Sequence, residues 1–262
     1  MRGVTMLTEE RRKKILYYLK NDSSVQVDKL SEDFDVSLAT IRRDLAALEK
    51  EGLLRRVYGG AVSVNKPIAS DDAFKVRQFR QMEEKIAVGR LAASLVQPGD
   101  TVLLDIGTTT LEVAKALKNR SDVTVLTNSL SILNELVDSS LNVYSLSGRM
   151  RKNEYSFEGN LVVNALQSFH IDKVFLGCGG YSMEYGLTET IYENALNRSF
   201  FIQQGEDAIL VTDSSKFGKN SSVIVENSAR VKTIVTDTGL SEDWLRKLRE
   251  RGIRVLLAEP EL

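Results

Sequence analysis

The sequence predicts an α/β protein in two parts: a small domain of three helices and a β-hairpin, then a larger domain on a mainly parallel sheet. Three observations carry this. Residues 36–61 combine an amphipathic helix, a glycine stop and a basic run that turns on a glycine pair. From residue 81 onward, short β-rich runs alternate with helical segments. Several of those runs end in polar, glycine-containing loops, and open parallel sheets hold ligands beyond such strand ends.

The first part occupies residues 1–64. Ser37 suits an N-cap, because its hydroxyl accepts from a free amide of the first turn. Ile41, Leu45 and Leu48 follow at spacings of four and three and share one apolar face. Arg42 and Arg43 fall off that face, and Thr40 lies at the exposed N-terminal end. Gly52 is placed to stop the helix. Upstream, Thr8 caps a first helix that buries Ile15, Leu16 and Leu19. Val27, Leu30 and Phe34 predict a short second helix. After Gly52, residues 54–57 and 61–64 flank Tyr58-Gly59-Gly60, which predicts a β-hairpin wing with Arg55 and Arg56 near phosphates. The whole reads as a winged helix-turn-helix whose third helix enters a major groove. An arginine pair on a helix is ordinarily only solvated. The order of three helices and a basic glycine hairpin favours the DNA reading.

With 262 residues, the chain has room for this domain and one of ordinary size. A hydrophobic content of 42% supports a core. Lys plus Arg number 35 against 36 Asp plus Glu, so the net charge of −1 excludes a protein that coats nucleic acid in bulk. Local charge on the helix and wing suffices for a specific reader. The single cysteine, Cys178, rules out an intrachain disulfide and fits a reducing cytoplasm. It ends an apolar run in Phe-Leu-Gly-Cys-Gly-Gly and reads as a small buried residue rather than a nucleophile. His170 is the single histidine and reads as structural; a zinc site needs more histidine or cysteine, so no metal and no cofactor are expected. No apolar stretch approaches the roughly 20 residues that span a bilayer, and the N-terminus lacks an apolar signal core. A cytoplasmic protein without a membrane partner is expected. Residues 65–80 contain Pro67 and a polar run and read as a linker, with Phe74 and Phe79 as anchors.

In residues 81–262 a helix carrying Ile86, Leu91 and Leu95 ends near Pro98-Gly99. Strands are expected at 101–104, 123–126, 143–146, 173–176, 208–211, 233–235 and 254–257. Helices are expected near 110–118, 129–137, 158–168, 191–205 and 241–251. Such alternation predicts a mainly parallel sheet covered on both faces. The run Asp105-Ile106-Gly107-Thr108-Thr109-Thr110-Leu111 follows a strand and opens a helix. Its glycine lets the backbone approach a ligand, and the amides of a helix N-terminus favour anions. No Gly-Lys-Ser/Thr follows, so it is not a Walker loop, and one glycine is too few for the dinucleotide fingerprint. Two readings stay open: an anion site with three threonine hydroxyls, or a plain strand–helix turn capped by threonine. Other strand ends carry Thr127-Asn128-Ser129, Ser147-Gly148-Arg149, Gly177 to Gly180, and Thr212-Asp213-Ser214-Ser215-Lys216-Phe217-Gly218. Five polar ends in one parallel sheet converge on one pocket. Its natural guest is an anionic, hydroxyl-rich molecule, a phosphorylated sugar or polyol.

Val36-Ser37, Thr40-Ile41-Arg42-Arg43-Asp44-Leu45, Leu48-Glu49, Gly52 and Gly59-Gly60-Ala61 resemble the winged-helix domain of the DeoR family of bacterial repressors. The second part resembles the effector domain of that family. It does so in Asp105 to Thr110, Val125-Leu126-Thr127-Asn128-Ser129, Phe175-Leu176-Gly177, Gly186-Leu187-Thr188, Thr212 to Phe217 and Val235-Thr236-Asp237. The resemblance covers almost the entire chain. It departs at Tyr58, where the family usually has histidine, and at Ser147-Gly148, where many members have two glycines.

The resemblance implies an effector domain similar to ribose-phosphate isomerase, with the effector at that enzyme's equivalent site. By that analogy Gly107, Thr108, Thr109 and Thr110 hold phosphate, and Asp105, Asn128, Glu193 and Lys216 face the sugar. Ser129 and Arg149 join them as candidates at the same edge. The DNA candidates are Ser37, Thr40, Arg42 and Arg43 on the helix, and Arg55, Arg56, Tyr58 and Gly59 on the wing. The implied protein is a transcriptional regulator, a repressor of a sugar or polyol catabolic operon. Its partners are double-stranded operator DNA, a phosphorylated effector and further copies of itself in a dimer or tetramer. The alternative is a sugar-phosphate isomerase-type enzyme with a DNA-binding head, in which Asp105, Glu189, Glu193 and Lys216 move protons. Against it, no glycine-rich segment with a lysine like the one those isomerases use precedes residue 186. A DNA-architectural protein fits neither the near-neutral charge nor the large α/β part.

Overall fold

The computed structural model describes residues 8–22, 24–57, 59–63, 74–78 and 80–260. The chain forms two compact units, Met1–Met82 and Glu83–Leu262.

The first unit runs α1 (Thr8–Asp22), β1 (Ser24–Gln26), α2 (Val27–Phe34), α3 (Leu38–Lys50), β2 (Leu54–Val57), β3 (Gly60–Ser63) and α4 (Phe74–Gln78). Its core joins Ile15, Leu19, Val27, Leu30, Phe34, Ile41, Leu45, Leu48 and Leu54. Leu16, expected inside, is only half-buried because the inward stripe of α1 follows Ile15 and Leu19. Asp35 turns the chain between α2 and α3 with φ 48°, and its amide and that of Val36 return to Glu32 and Ser31 carbonyls. Ser37 caps α3 by accepting from the Thr40 amide at 3.2 Å. Gly52, with φ 72°, follows the helix in the left-handed region that glycine enters at little cost.

β1 was not expected. It pairs antiparallel with β3, which pairs with β2, so the wing is a three-stranded sheet in the order β1–β3–β2. This explains Gly60: a Cβ there would stand 2.0 Å from the Val25 carbonyl oxygen. Tyr58, Val64, Pro67 and Phe79 lie outside the described residues. Phe74 is buried.

The second unit takes in α5 (Met82–Ala93) from Glu83 onward, then β4 (Thr101–Leu104), α6 (Thr108–Leu117), β5 (Thr124–Thr127), α7 (Leu130–Leu136) and β6 (Asn142–Ser145). A hairpin of β7 (Arg149–Arg151) and β8 (Ser156–Glu158) leads to α8 (Asn160–Leu166) and β9 (Ile171–Leu176). Then come β10 (Gly180–Ser182), β11 (Gly186–Glu189), α9 (Tyr192–Gln204), β12 (Gly205–Val211), β13 (Val223–Ile224), β14 (Thr233–Asp237), α10 (Glu242–Glu250) and β15 (Arg254–Ala258).

Seven strands form one sheet in the order β6–β5–β4–β9–β12–β14–β15, and every pairing is parallel. Val102, Leu103, Leu104, Val174, Phe175, Leu176 and Leu210 are fully buried, as a sheet covered on both faces requires. The chain steps outward from β4 to β6 and then returns to the other side of β4 at β9. The order therefore reverses between β4 and β9, where Leu104 aligns with Phe175. Ligands of open parallel sheets bind at such a reversal. The antiparallel set β10–β11–β13 was too short in sequence to show a period.

The buried face of α5 is Lys85, Val88, Gly89, Ala92 and Ala93, while Ile86, Leu91 and Leu95 are half-buried. Small residues face inward because α5 crosses α6 backbone to backbone. A Cβ on Gly89 would lie 2.6 Å from the Glu112 carbonyl carbon.

Candidate functional site

In the first unit, α3 is set by its own cap and core residues, so Arg42 and Arg43 stay exposed. Thr40 is half-buried, with its hydroxyl 2.9 Å from that of Ser37. The inner face carries an unexpected charge. Asp44 is buried and accepts from Arg11 Nε at 2.6 Å and Arg12 Nε at 3.0 Å. On the wing, Arg55 and Arg56 are exposed. The Arg56 amide donates to Glu49 Oε1 at 2.7 Å, which ties β2 to α3. Gly59 is exposed, and its carbonyl accepts from the Val27 amide at 2.7 Å. The helix and the wing are thus fixed to one frame, with four guanidinium groups turned to solvent.

In the second unit, Gly107 is the N-cap of α6 with φ 156° and ψ 162°, a region open essentially to glycine. The first helical bond runs from the Leu111 amide to the Gly107 carbonyl at 3.2 Å, so the amides of Thr108, Thr109 and Thr110 precede the ladder. Thr110 is fully buried and its hydroxyl donates to the Gly107 carbonyl at 3.1 Å, so this side chain completes the turn. Thr108 and Thr109 keep exposures of 8% and 7%.

Asp105 precedes this turn and is buried. It accepts from Arg198 Nε at 2.6 Å. Burial pushes its carboxyl up from the usual range, against the Arg198 charge and the amides of Ile106 and Gly177. Arg198, buried on α9, also pairs with Glu189 at the end of β11. Glu189 accepts in addition from the Thr190 amide at 2.7 Å.

Asn128 is buried at the end of β5. Its Nδ2 donates to the Phe157 carbonyl at 3.0 Å, and among the described residues its Oδ1 has no hydrogen-bond partner. Ser129 is fully buried, and its hydroxyl caps α7 by accepting from the Ile132 amide. Lys216 is half-buried in the short turn after β12, where the Asp213 carboxylate accepts from Ser215. Cys178 is partly buried with Sγ 3.8 Å from Thr212 Oγ1, and burial raises its thiol pKa against the charges of Lys216 and Arg198. That fits a filling residue better than a nucleophile.

Asp105, Gly107 to Thr110, Cys178 and Lys216 follow β4, β9 and β12, adjacent strands at the carboxyl edge. Asn128 and Ser129 follow β5, one strand further out. Glu193 is half-buried in the first turn of α9. Arg149 lies apart on the β7–β8 hairpin, where its exposed side chain pairs with buried Glu158. Arg198 was missed in the sequence, because its partner Asp105 is 93 residues away. His170 lies at the opposite edge, before β9, with Nε2 3.4 Å from Glu206 and 3.7 Å from Asp172.

A helix-turn-helix unit with outward arginines, followed by a parallel-sheet unit with a polar carboxyl edge, defines a DNA-binding regulator with a sensor domain. The DeoR-like helix-turn-helix domain matches residues 11–67, and the DeoR C terminal sensor domain matches residues 80–238. The chain belongs to the DeoR family of transcriptional regulators.

It is 36% identical over 251 residues to the transcriptional repressor AccR of Agrobacterium fabrum, across 94% of this chain and 97% of that one. It is 34% identical over 259 residues to the HTH-type transcriptional repressor GlcR of Bacillus subtilis, across 98% of each. Among solved structures it is similar to ribose 5-phosphate isomerase A from Methanocaldococcus jannaschii, with a TM-score of 0.39 and 16% identity, over 51% of this chain and 53% of that one. Among the described residues no helix is long and apolar enough to cross a membrane.

Proposed function

We propose that this protein is a repressor whose grip on operator DNA is set by a phosphorylated sugar or polyol at the carboxyl edge of its parallel sheet. One observation carries the reading. The N-terminus of α6, with Thr108 and Thr109 in its first turn, opens at the reversal of strand order beside Asp105. Free amides there suit phosphate, and neighbouring polar side chains suit hydroxyl groups. The residues 1–64 read DNA, and a symmetric oligomer sets two heads on repeated half-sites. The effector acts by binding one arrangement of the heads better than the other, since only differential affinity shifts such an equilibrium.

The test is a thermal-shift screen against phosphorylated sugars and polyols and their unphosphorylated counterparts. A ligand that binds the folded state raises the melting temperature. Stabilisation by a phosphorylated compound and not by its parent is expected. A flat response across the panel overturns the reading. The isomerase alternative is less favoured because Asp105 and Glu189 both spend their carboxylates on Arg198. Incubation with pentose and hexose phosphates is expected to give no isomerised product.

A further inference from the structure

We infer that Arg198 is a positioning residue of the effector site. It clamps the loop that opens α6 to the segment that opens α9, and its charge favours the carboxylate form of Asp105, an acceptor for a ligand hydroxyl. The inference rests on the functional reading above and adds a residue that touches no ligand in it.

The geometry is a buried chain of three charges. Arg198 Nε donates to Asp105 Oδ2 at 2.6 Å, with side-chain exposures of 5% and 2%. The same guanidinium pairs with Glu189, which is 10% exposed in its side chain. Asp105 leads through Gly107 into the α6 turn, and Glu189 leads through Thr190 and Ile191 into the first turn of α9, which carries Glu193. One guanidinium therefore holds the two segments that carry Thr108, Thr109 and Glu193. Its planar fork suits two carboxylates, whereas an ammonium is a point charge.

Asp105 is buried and would give up its charge without a counter-ion. The ionisable groups near the pair are Glu189 at the end of β11, which contacts Arg198, and Cys178 after β9, which feels the charges of Arg198, Asp213 and Lys216. Arg198 is the cation in hydrogen-bond contact with Asp105 among the described residues. Burial already raises the Asp105 pKa, and loss of the opposing Arg198 charge raises it further. The acceptor form then returns only as pH rises.

The experiment is calorimetry of the full chain with ribose 5-phosphate, glucose 6-phosphate, fructose 6-phosphate and fructose 1-phosphate, from mildly acidic to mildly alkaline buffer. Wild type is compared with Arg198→Met, Arg198→Lys, Asp105→Asn and the Asp105→Asn/Arg198→Met pair. Affinities are read as variant over wild type at each pH, so that the ligand phosphate's own titration near pH ~6 cancels. Arg198→Met is expected to bind weakly in acid and to recover by up to about tenfold per pH unit as pH rises. Arg198→Lys keeps the charge and a flat ratio. On the Asp105→Asn background, Arg198→Met adds no pH dependence. Should Arg198→Met not fold, the Arg198→Met/Glu189→Gln pair leaves one fewer stranded carboxylate and carries the same comparison. A flat ratio for the arginine variant overturns this inference alone. Silence of wild type toward the whole panel overturns the functional reading and takes this one with it.

Discussion

Asp44 and Arg11 meet across 33 residues of sequence, carboxylate to Nε at 2.6 Å, with both side chains buried. Asp44 lies next to Arg43 on α3, so the same helix turns two arginines outward and one carboxylate inward. The ion pair fixes α3 against α1, and Arg12 adds a second contact from the same helix. The orientation of α3 thus depends on a buried charge.

Asp44→Ala removes the carboxylate from the buried Arg11 pair. Removing one member of a buried pair costs about 3–5 kcal/mol. Chemical denaturation followed by the tyrosines of α1 is expected to show the head unfolding first. A change within about 0.5 kcal/mol, the range of a surface substitution, contradicts the staple.

α3 was fully legible in the sequence. Ser37, the spacing of Ile41, Leu45 and Leu48, and Gly52 all act locally, and all hold their expected places. The strands of the parallel sheet were legible for a related reason: continuous apolar runs bounded by polar turns need no knowledge of their neighbours. β12 begins three residues before its expected start, because Glu206 and Asp207 are both exposed and their charge hides the strand's beginning. β1 was hidden because Ser24, Val25 and Gln26 are too few to show a period. The Asp105–Arg198 and Asp44–Arg11 pairs were hidden because a buried arginine looks in sequence like any solvated helix arginine. Ser129 and Thr110 read as ligand candidates from their polarity, and the structure gives each hydroxyl a bond to its own helix turn.

Arg43 stands exposed on α3, so Arg43→Ala leaves the fold intact. If it makes a bidentate base contact, operator affinity falls by about 1–3 kcal/mol. Unchanged operator binding by the folded variant removes Arg43 from the reading surface.

Arg56 is exposed on β2, and its backbone rather than its side chain bonds Glu49. Arg56→Ala therefore preserves the wing while removing the proposed phosphate contact. Binding weakens alike for all DNA sequences, and the salt slope drops by about one unit. An identical slope in wild type and variant excludes a phosphate contact at this position.

Thr109 keeps some exposure in the first turn of α6. Thr109→Asp sets a carboxylate where the phosphate is proposed to sit. Effector response is expected to vanish while effector-free operator binding persists. A variant that responds at wild-type ligand concentrations places the phosphate elsewhere.

Lys216 is half-buried after β12, within electrostatic reach of Cys178. Lys216→Met keeps the stem and loses the charge. Stability should change by no more than about 0.5 kcal/mol, as for a surface lysine, whereas calorimetry should show much weaker effector binding. Equal affinities put Lys216 outside the pocket.

In the function proposed above, a phosphorylated ligand in the sensor unit changes the grip of the head on DNA. Fluorescence anisotropy with an operator selected from a random duplex library tests it most directly. The titration is run with and without a saturating phosphorylated sugar, and again with its unphosphorylated parent. The phosphorylated compound is expected to shift operator affinity by about 1–3 kcal/mol, the usual scale of coupling between two sites. The parent is expected to shift nothing. Operator affinity that stays the same with every phosphorylated ligand, or that moves equally with the parent sugar, contradicts the account.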